Sequence, residues 1–285
     1  MSILKLKPSC KDYIWGGHRL AEEYNVLFEG RSPAEAWELG THCDRFEDFP
    51  ILIKFIDARD NLSIQVHPDD RYARQNEGQY GKTEMWYVMD AGKDAFLYYG
   101  FKKEISREEF ADRIMNDTLT EVLNAVPVQK GDVLFIEAGT IHAIGKDILI
   151  AEIQQNSNVT YRVYDYGRIG KDGKKRDLHI EKALAVTKRI PVVKDRNCYP
   201  HIADCDYFTV DKLNLDGKVM QKLVGKVSEA SFASILILEG EGTISGREET
   251  LSYRKGDSFF LSAESGEYTI EGTCDALVTT IRGEG

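Results

Sequence analysis

Cysteine is scarce and carries no pattern. The 285 residues include five, at positions 10, 43, 198, 205 and 274. The total is odd and no Cys-x-x-Cys occurs, which argues against a disulfide framework and for reduced thiols. Long apolar runs are missing too: no stretch reaches the ~20 residues a membrane-crossing helix needs. The opening MSILKLKPSCKDYIWGG lacks the apolar core of a signal peptide. Basic charge is in deficit, with 37 Lys and Arg against 47 Asp and Glu, so the chain repels nucleic-acid phosphates and anionic lipid at long range. These absences predict a cytoplasmic protein with neither nucleic acid nor membrane as partner, in which an anionic ligand needs a local basic pocket. Nothing in the sequence sets the oligomeric state.

What is present is strand. Short runs rich in β-branched and aromatic residues recur between turn signals, among them PILIKFIDA, SIQVHP, EMWYVMDA, DAFLYYGF, DVLFIEAG, ILIAEIQQ and VTYRVYDYG. This is the spacing of a sandwich or barrel. One segment departs from it. In ISREEFADRIMNDTLTEVLNAV, apolar residues at 110, 114, 119, 122 and 123 fit a helical period, and Ser106 with Glu109 forms a capping box. It predicts a small helical insertion at about 103–125. A second helix is expected in LHIEKALAVTKR, followed by a linker, IPVVKDRNCYP, and further strands.

The two halves share a phrase, KGDVLFIEAGTIHAIG from 130 and KGDSFFLSAESGEYTIEG from 255, which predicts two related β-barrels in tandem. Residues 1–190 form the first and 191–285 the second. Where the first copy has His142 the second offers Glu267 or Tyr268, and no Gln-x-His or His-x-His follows residue 190. A metal centre therefore belongs to the first half alone, one ion per chain.

Gln65 and His67 stand two apart in a strand and so share a face. If that face is interior, an amide and an imidazole there are expensive without partners. The run from Gly131 through Gly139 to His142 resembles the second signature of the cupin barrels, although Glu137 and Lys146 replace its usual proline and asparagine. With Glu84 in GKTEMWYV, the chain offers Gln65, His67, Glu84 and His142 as two oxygen and two nitrogen donors. That set suits Zn2+ first, with manganese, iron or cobalt as substitutes.

The words LSIQVHPDD, GKTEMWYV, AGTIHAIG and NSNVTYRVYDYGR, with the opening YIWGGHRL, are similar in order and spacing to the type I mannose-6-phosphate isomerases in their short bacterial form. The resemblance covers most of residues 1–190. It implies a mainly β fold of two tandem cupin (jelly-roll) barrels, the second without metal. It also implies a zinc-dependent aldose–ketose isomerase acting on mannose 6-phosphate and fructose 6-phosphate through an enediolate. By position, Gln65, His67, Glu84 and His142 would be the zinc ligands and Arg162 the catalytic arginine. Lys82 and Glu152 match further catalytic positions, and Ser63 and Arg168, with Lys82, are the candidates for the substrate phosphate. Asn158 stands where family members carry aspartate, which leaves the general base unassigned. His18, His42, His179 and His201 fall outside any ligand spacing and are expected to be structural or exposed, His18 rimming the pocket. Two other readings compete: a non-catalytic metal-containing cupin that binds a sugar phosphate, and an iron-dependent cupin dioxygenase, which Gln65 in place of a second histidine disfavours.

Overall fold

Alternating apolar and polar positions build antiparallel strands, arranged as three sheets in a computed structural model that describes residues 3–43, 49–170, 173–193 and 198–282. One six-stranded sheet runs in the order Ser9–Lys11, Glu35–Leu39, Ile51–Ala58, Ile148–Gln155, Glu84–Ala91, Val133–Ile136. A five-stranded sheet runs Tyr161–Tyr164, Ile64–Val66, His142–Ala143, Phe96–Phe101, Leu123–Pro127. The third, eight-stranded sheet gathers the strands from Ala203 onward, and the short strand Leu4–Lys5 joins it by pairing with Phe259 and Phe260.

Apolar layers fix how the sheets stack. Ile56, Trp86, Val88 and Ile150 of the six-stranded sheet pack against Leu97 and Tyr99 of the five-stranded sheet and Ile144 just after its strand His142–Ala143. The other face of the five-stranded sheet, with Ile64, Val66 and Val163, is covered by Phe110, Ile114, Leu119 and Leu184 from the helices. On its far side the six-stranded sheet buries Phe55, Met85 and Ile153 against Leu236 and Leu277 of the C-terminal strands and Phe208 just ahead of the strand Thr209–Leu215. No sheet closes on itself among the described residues. The mainly β reading holds as sheets packed face to face, each free to curve without joining its edges.

The helical insertion is shorter than its sequence pattern. Arg107–Met115 is helical, capped by the Ser106 hydroxyl accepting the Glu109 N–H at 3.0 Å. It stops at Asn116, and Asp117 adopts φ 55°, a left-handed conformation no helix continues through. One more turn, Leu119–Val122, follows; then residues 123–125, predicted helical, belong to the strand Leu123–Pro127. All five apolar positions of the pattern are buried. Leu123 satisfied either period, and pairing with Phe101 decided it. The second predicted helix forms over Ile180–Val186.

The shared phrase is a shared turn. Asp132 accepts the Gln129 N–H at 3.0 Å and Asp257 accepts the Arg254 N–H at 2.8 Å. Gly131, at φ 94°, donates to Val88 O; Gly256, at φ 88°, donates to Ile237 O. Those bonds align the strand containing Val88 with the strand containing Ile237, so Ala233 in the second half stands where Glu84 stands in the first.

Glu38 is the extra residue of a β-bulge between Trp37 and Leu39. It is buried, and its Oε1 has no hydrogen-bond partner among the described residues. Burial, and beyond it the Asp257 carboxylate, push its pKa well above the ordinary carboxylate value. Stability held by the neutral form is complete below the unfolded pKa and is lost as pH rises toward the raised folded one. Thermal unfolding should therefore show the stability advantage of Glu38→Gln over the wild type growing from about pH 5 to 8, to about 1–3 kcal/mol at the alkaline end. Parallel curves for the two proteins would mean that Glu38 is ionised in the fold.

Candidate metal centre and active site

Strand alternation builds the site. Ile64 and Val66 point into the helix-covered layer, which turns Gln65, and His67 after it, to the inner face. Register adds two neighbours: Gln65 lies directly opposite Arg162 on one side and His142 on the other. Residues directly opposite in an antiparallel pair share a face. Across the interior, the six-stranded sheet presents Trp37, Lys54, Glu152 and Trp86 in one cross-strand row, with Glu84 two residues before Trp86 on the same face.

His67, Glu84 and His142 offer ligand atoms that all lie within 4.8 Å of one another, and all three are buried. Their protonation is set from behind. His67 Nδ1 is 2.9 Å from Val159 O, and His142 Nδ1 is 2.9 Å from Thr140 O. A carbonyl oxygen only accepts, so each Nδ1 carries the hydrogen and each Nε2 faces the cluster with its lone pair. Lys82 Nζ, which only donates, stands 3.2 Å from His67 Nε2 and agrees. The Gln65 amide lies 3.3 Å from His142 Nε2, and a half-turn of that amide presents its oxygen to the same space. Burial pushes the pKa of both imidazoles down, that of His142 to about 4, and Lys82 adds to the effect on each. Both are neutral at physiological pH, the state in which imidazole binds a metal. Gly139, at φ 88°, donates its N–H to His67 O and so ties the turn leading to His142 to the other histidine.

Glu84 Oε1 is buried with no hydrogen-bond partner among the described residues and sits 3.4 Å from His142 Nε2, while Oε2 lies 3.6 Å from His67 Nε2. A buried carboxylate set between two imidazole lone pairs, with one oxygen unpartnered, fits a divalent cation. Burial and then the Glu152 carboxylate push the Glu84 pKa up to about 7, while the Lys82 ammonium, in direct contact with Oε2, pulls it down. Lys82 bridges Glu84 and Glu152, standing 3.5 Å from Glu152 Oε1. Burial opposes the charge on Glu152 as well, but Lys54 at 3.0 Å, then Lys82 and the Trp86 indole at 2.8 Å, outweigh it and lower its pKa to about 2.

Arg162 is half-buried. Its Nη1 donates to Asp177 O at 2.9 Å, and Nε is buried with no partner among the described residues. Arg168 is bound to the buried Asp165 carboxylate and to Asn61 O, and Arg176 holds the same carboxylate at 2.8 Å. Ser63 is buried just ahead of the strand carrying Gln65. His18 is exposed. His179 does more than its spacing announced: its Nδ1 accepts the Arg162 N–H at 3.1 Å and its own N–H donates to Arg162 O.

Lys54, Trp86, Glu35 and Arg176 escaped sequence reading. The signal for Lys54 was there: it is the one basic residue inside the eight-residue buried strand ILIKFIDA. Trp86 and Glu35 become visible only once cross-strand register is known.

Residues 42–94 match the family described as phosphomannose isomerase type I, catalytic domain, and residues 200–281 match mannose-6-phosphate isomerase, cupin domain. The chain is 35% identical to the mannose-6-phosphate isomerase ManA of Bacillus subtilis, covering 97% of this chain and 98% of that one. The crystal structure of the mannose 6-phosphate isomerase from Bacillus subtilis superposes with a TM-score of 0.87 at 29% identity, covering 98% and 99% of the two chains. A mannose 6-phosphate isomerase bound with zinc and yttrium shares the fold at 18% identity, with a TM-score of 0.74 over 99% of this chain and 100% of that one.

Elemental analysis of purified, metal-reconstituted protein is expected to find one divalent ion per chain. His142→Ala should lose most of it while its circular dichroism stays that of the wild type. Two specifically bound equivalents, or full retention in His142→Ala, would contradict the cluster described above.

Proposed function

Since the chain belongs to the mannose-6-phosphate isomerase family, we propose that it interconverts mannose 6-phosphate and fructose 6-phosphate with one Zn2+ held by Gln65, His67, Glu84 and His142. The observation that carries this reading is the buried Glu84 carboxylate set between two imidazole nitrogens whose tautomers are fixed, with its Oε1 unpartnered among the described residues. A bound zinc ion would supply Lewis acidity to substrate oxygens. The chain's own groups do the rest.

Isomerisation moves a proton between C1 and C2 through an enediolate, whose oxygen needs positive charge and whose proton needs a carrier. Arg162, opposite Gln65 on the inner face, supplies a guanidinium for the developing oxyanion. Lys82 Nζ and Glu152 Oε1, 3.5 Å apart, are the pair that holds and returns the proton. Lys54 and Trp86 keep the Glu152 carboxylate ionised and aimed inward. Phosphate recognition falls to Arg168 and Ser63. Among the buried groups, two lysines face three carboxylates, Glu35, Glu84 and Glu152, leaving one negative charge; a divalent ion turns that to one positive, and Arg162 adds another. The balance then suits a phosphorylated sugar, which brings a charge of about −1.5 to −2 at neutral pH.

The binding-only alternative gains no support, since pure binding has no use for an ionised carboxylate and an ammonium poised side by side. The two halves are read as tandem cupin modules, with residues 1–190 catalytic and 191–285 metal-free. No helix among the described residues is long and apolar enough to cross a membrane, and we place the enzyme in the cytoplasm.

The deciding experiment is a coupled assay for fructose 6-phosphate formed from mannose 6-phosphate, with and without chelator. Product that disappears on chelation and returns with zinc is expected; tight binding of the sugar phosphate without product would overturn the enzyme reading. Arg162→Ala should lower turnover by about 10²–10³, the effect of removing one oxyanion donor, with metal content unchanged. Normal turnover with only a raised KM would make Arg162 a phosphate grip instead.

A further inference from the structure

Asp70 opens the helix Asp70–Glu77 but does not cap it; Asp69 does, accepting the Tyr72 N–H at 2.8 Å. The Asp70 carboxylate turns the other way. Oδ1 accepts the Gly81 N–H at 2.8 Å and the Gln155 side-chain amide at 3.0 Å, and Oδ2 accepts the Tyr207 hydroxyl at 2.9 Å. Gln155 in turn accepts the Thr83 N–H at 2.8 Å through its side chain and donates its own N–H to Thr83 O at 3.1 Å. Lys82 N–H donates to Pro68 O at 3.0 Å. Three successive amides, 81 to 83, are thus bound to Asp70, Pro68 and Gln155. The contact at Gly81 is close enough that a Cβ there would lie 2.4 Å from Asp70 N, so only glycine fits.

We infer that Asp70 and Tyr207 are positioning residues for Lys82, and that through Tyr207 the C-terminal β module holds in place the segment that brings Lys82 to the site. Tyr207 precedes the strand Thr209–Leu215, part of the eight-stranded sheet, and its ring packs on the apolar layer shared by the two halves. Neither residue touches the cluster. They act on it through the backbone on either side of Lys82, and a 1 Å displacement of such a group is enough to cost a large factor in rate. The inference rests on the catalytic reading of Lys82 given above.

The test uses the full-length, metal-loaded enzyme. Tyr207→Phe deletes a single hydroxyl. It should lower kcat by about threefold to tenfold, the weight of one hydrogen bond, with KM and metal content unchanged and with faster amide hydrogen exchange at Gly81 and Thr83. Asp70→Ala should do the same more strongly, and Asp70→Asn, whose single side-chain oxygen can still accept the Gly81 N–H while its NH2 faces the Tyr207 oxygen, should recover part of the loss. Unchanged exchange at residues 81–83, or faster exchange with wild-type kcat, overturns the inference, as does loss of metal from Tyr207→Phe. Lys82→Ala measured alongside separates the two claims. Wild-type turnover there would defeat the catalytic reading of Lys82, while the exchange data still report on whether Asp70 and Tyr207 hold its backbone.

Discussion

Ions buried between two sheets are the constraint to which the first half of the molecule conforms. Lys54, Lys82, Glu35, Glu84 and Glu152 are each at most 7% exposed. An ion left alone in such surroundings costs about 3–5 kcal/mol or more, whereas a fully buried Leu or Phe contributes about 1.5–3 kcal/mol. No single apolar contact offsets one bare charge, so each ion must meet a partner, and strand register is what delivers it. Lys54 reaches Glu152 because the two are cross-strand neighbours, and Trp86, on the other side of Glu152, supplies the next donor. Glu35 takes the Trp37 indole at 2.7 Å and lies 3.6 Å from Lys54. A register slip of one residue would invert all of these side chains to the wrong face.

The C-terminal half shows what the same unit becomes without that demand. Its strand–turn–strand unit repeats the hydrogen bonds of the first, so positions correspond through them. Trp86 aligns with Ile235, paired with Val278 where Trp86 is paired with Glu152. Glu84 aligns with Ala233. Ile235, Ile237 and Phe259 then fill the interior of the second half as an ordinary apolar core. The backbone plan does not create the site. Replacing a few inward residues with polar ones does, and the apolar layers on both outer faces of the two sheets hold those residues in place.

This division explains what was legible in the sequence. Gln65 and His67 stood out because polar residues at period two in an apolar strand have few explanations, and Glu84 and His142 because each follows or ends a recognisable turn. The repeated Lys-Gly-Asp phrase was legible for the same reason: a glycine at positive φ and an aspartate bonding back three residues make a local device. Lys54, Trp86, His179 and Asp70 owe their places to partners far along the chain. Asp70 and Tyr207 are separated by 137 residues. No periodicity announces such a bond. The end of the helical insertion was misjudged for a related reason, since Leu123 is apolar in either element and only its pairing with Phe101 makes it strand.

Electrostatics resolves an apparent conflict between the whole chain and its proposed substrate. A formal net charge of −10 repels a phosphorylated sugar, yet at physiological ionic strength that repulsion is screened beyond about 8 Å. In the proposed reading, what the substrate meets at close range is the inner face. There Arg162 is backed by Arg168 and Arg176, which share the single carboxylate of Asp165. Burial would raise the Asp165 pKa, but the two guanidiniums outweigh it and hold it low, so the trio of arginines with one aspartate keeps a positive excess at any pH where the fold exists. The same surroundings act on Arg162 itself: burial and then the Arg176 cation push its pKa down. A guanidinium in that position is under-solvated and partly unpartnered, and an oxyanion formed beside it gains more than it would in water. The acidic exterior and the arginine cluster therefore operate at different distances, and at contact range the arginines prevail.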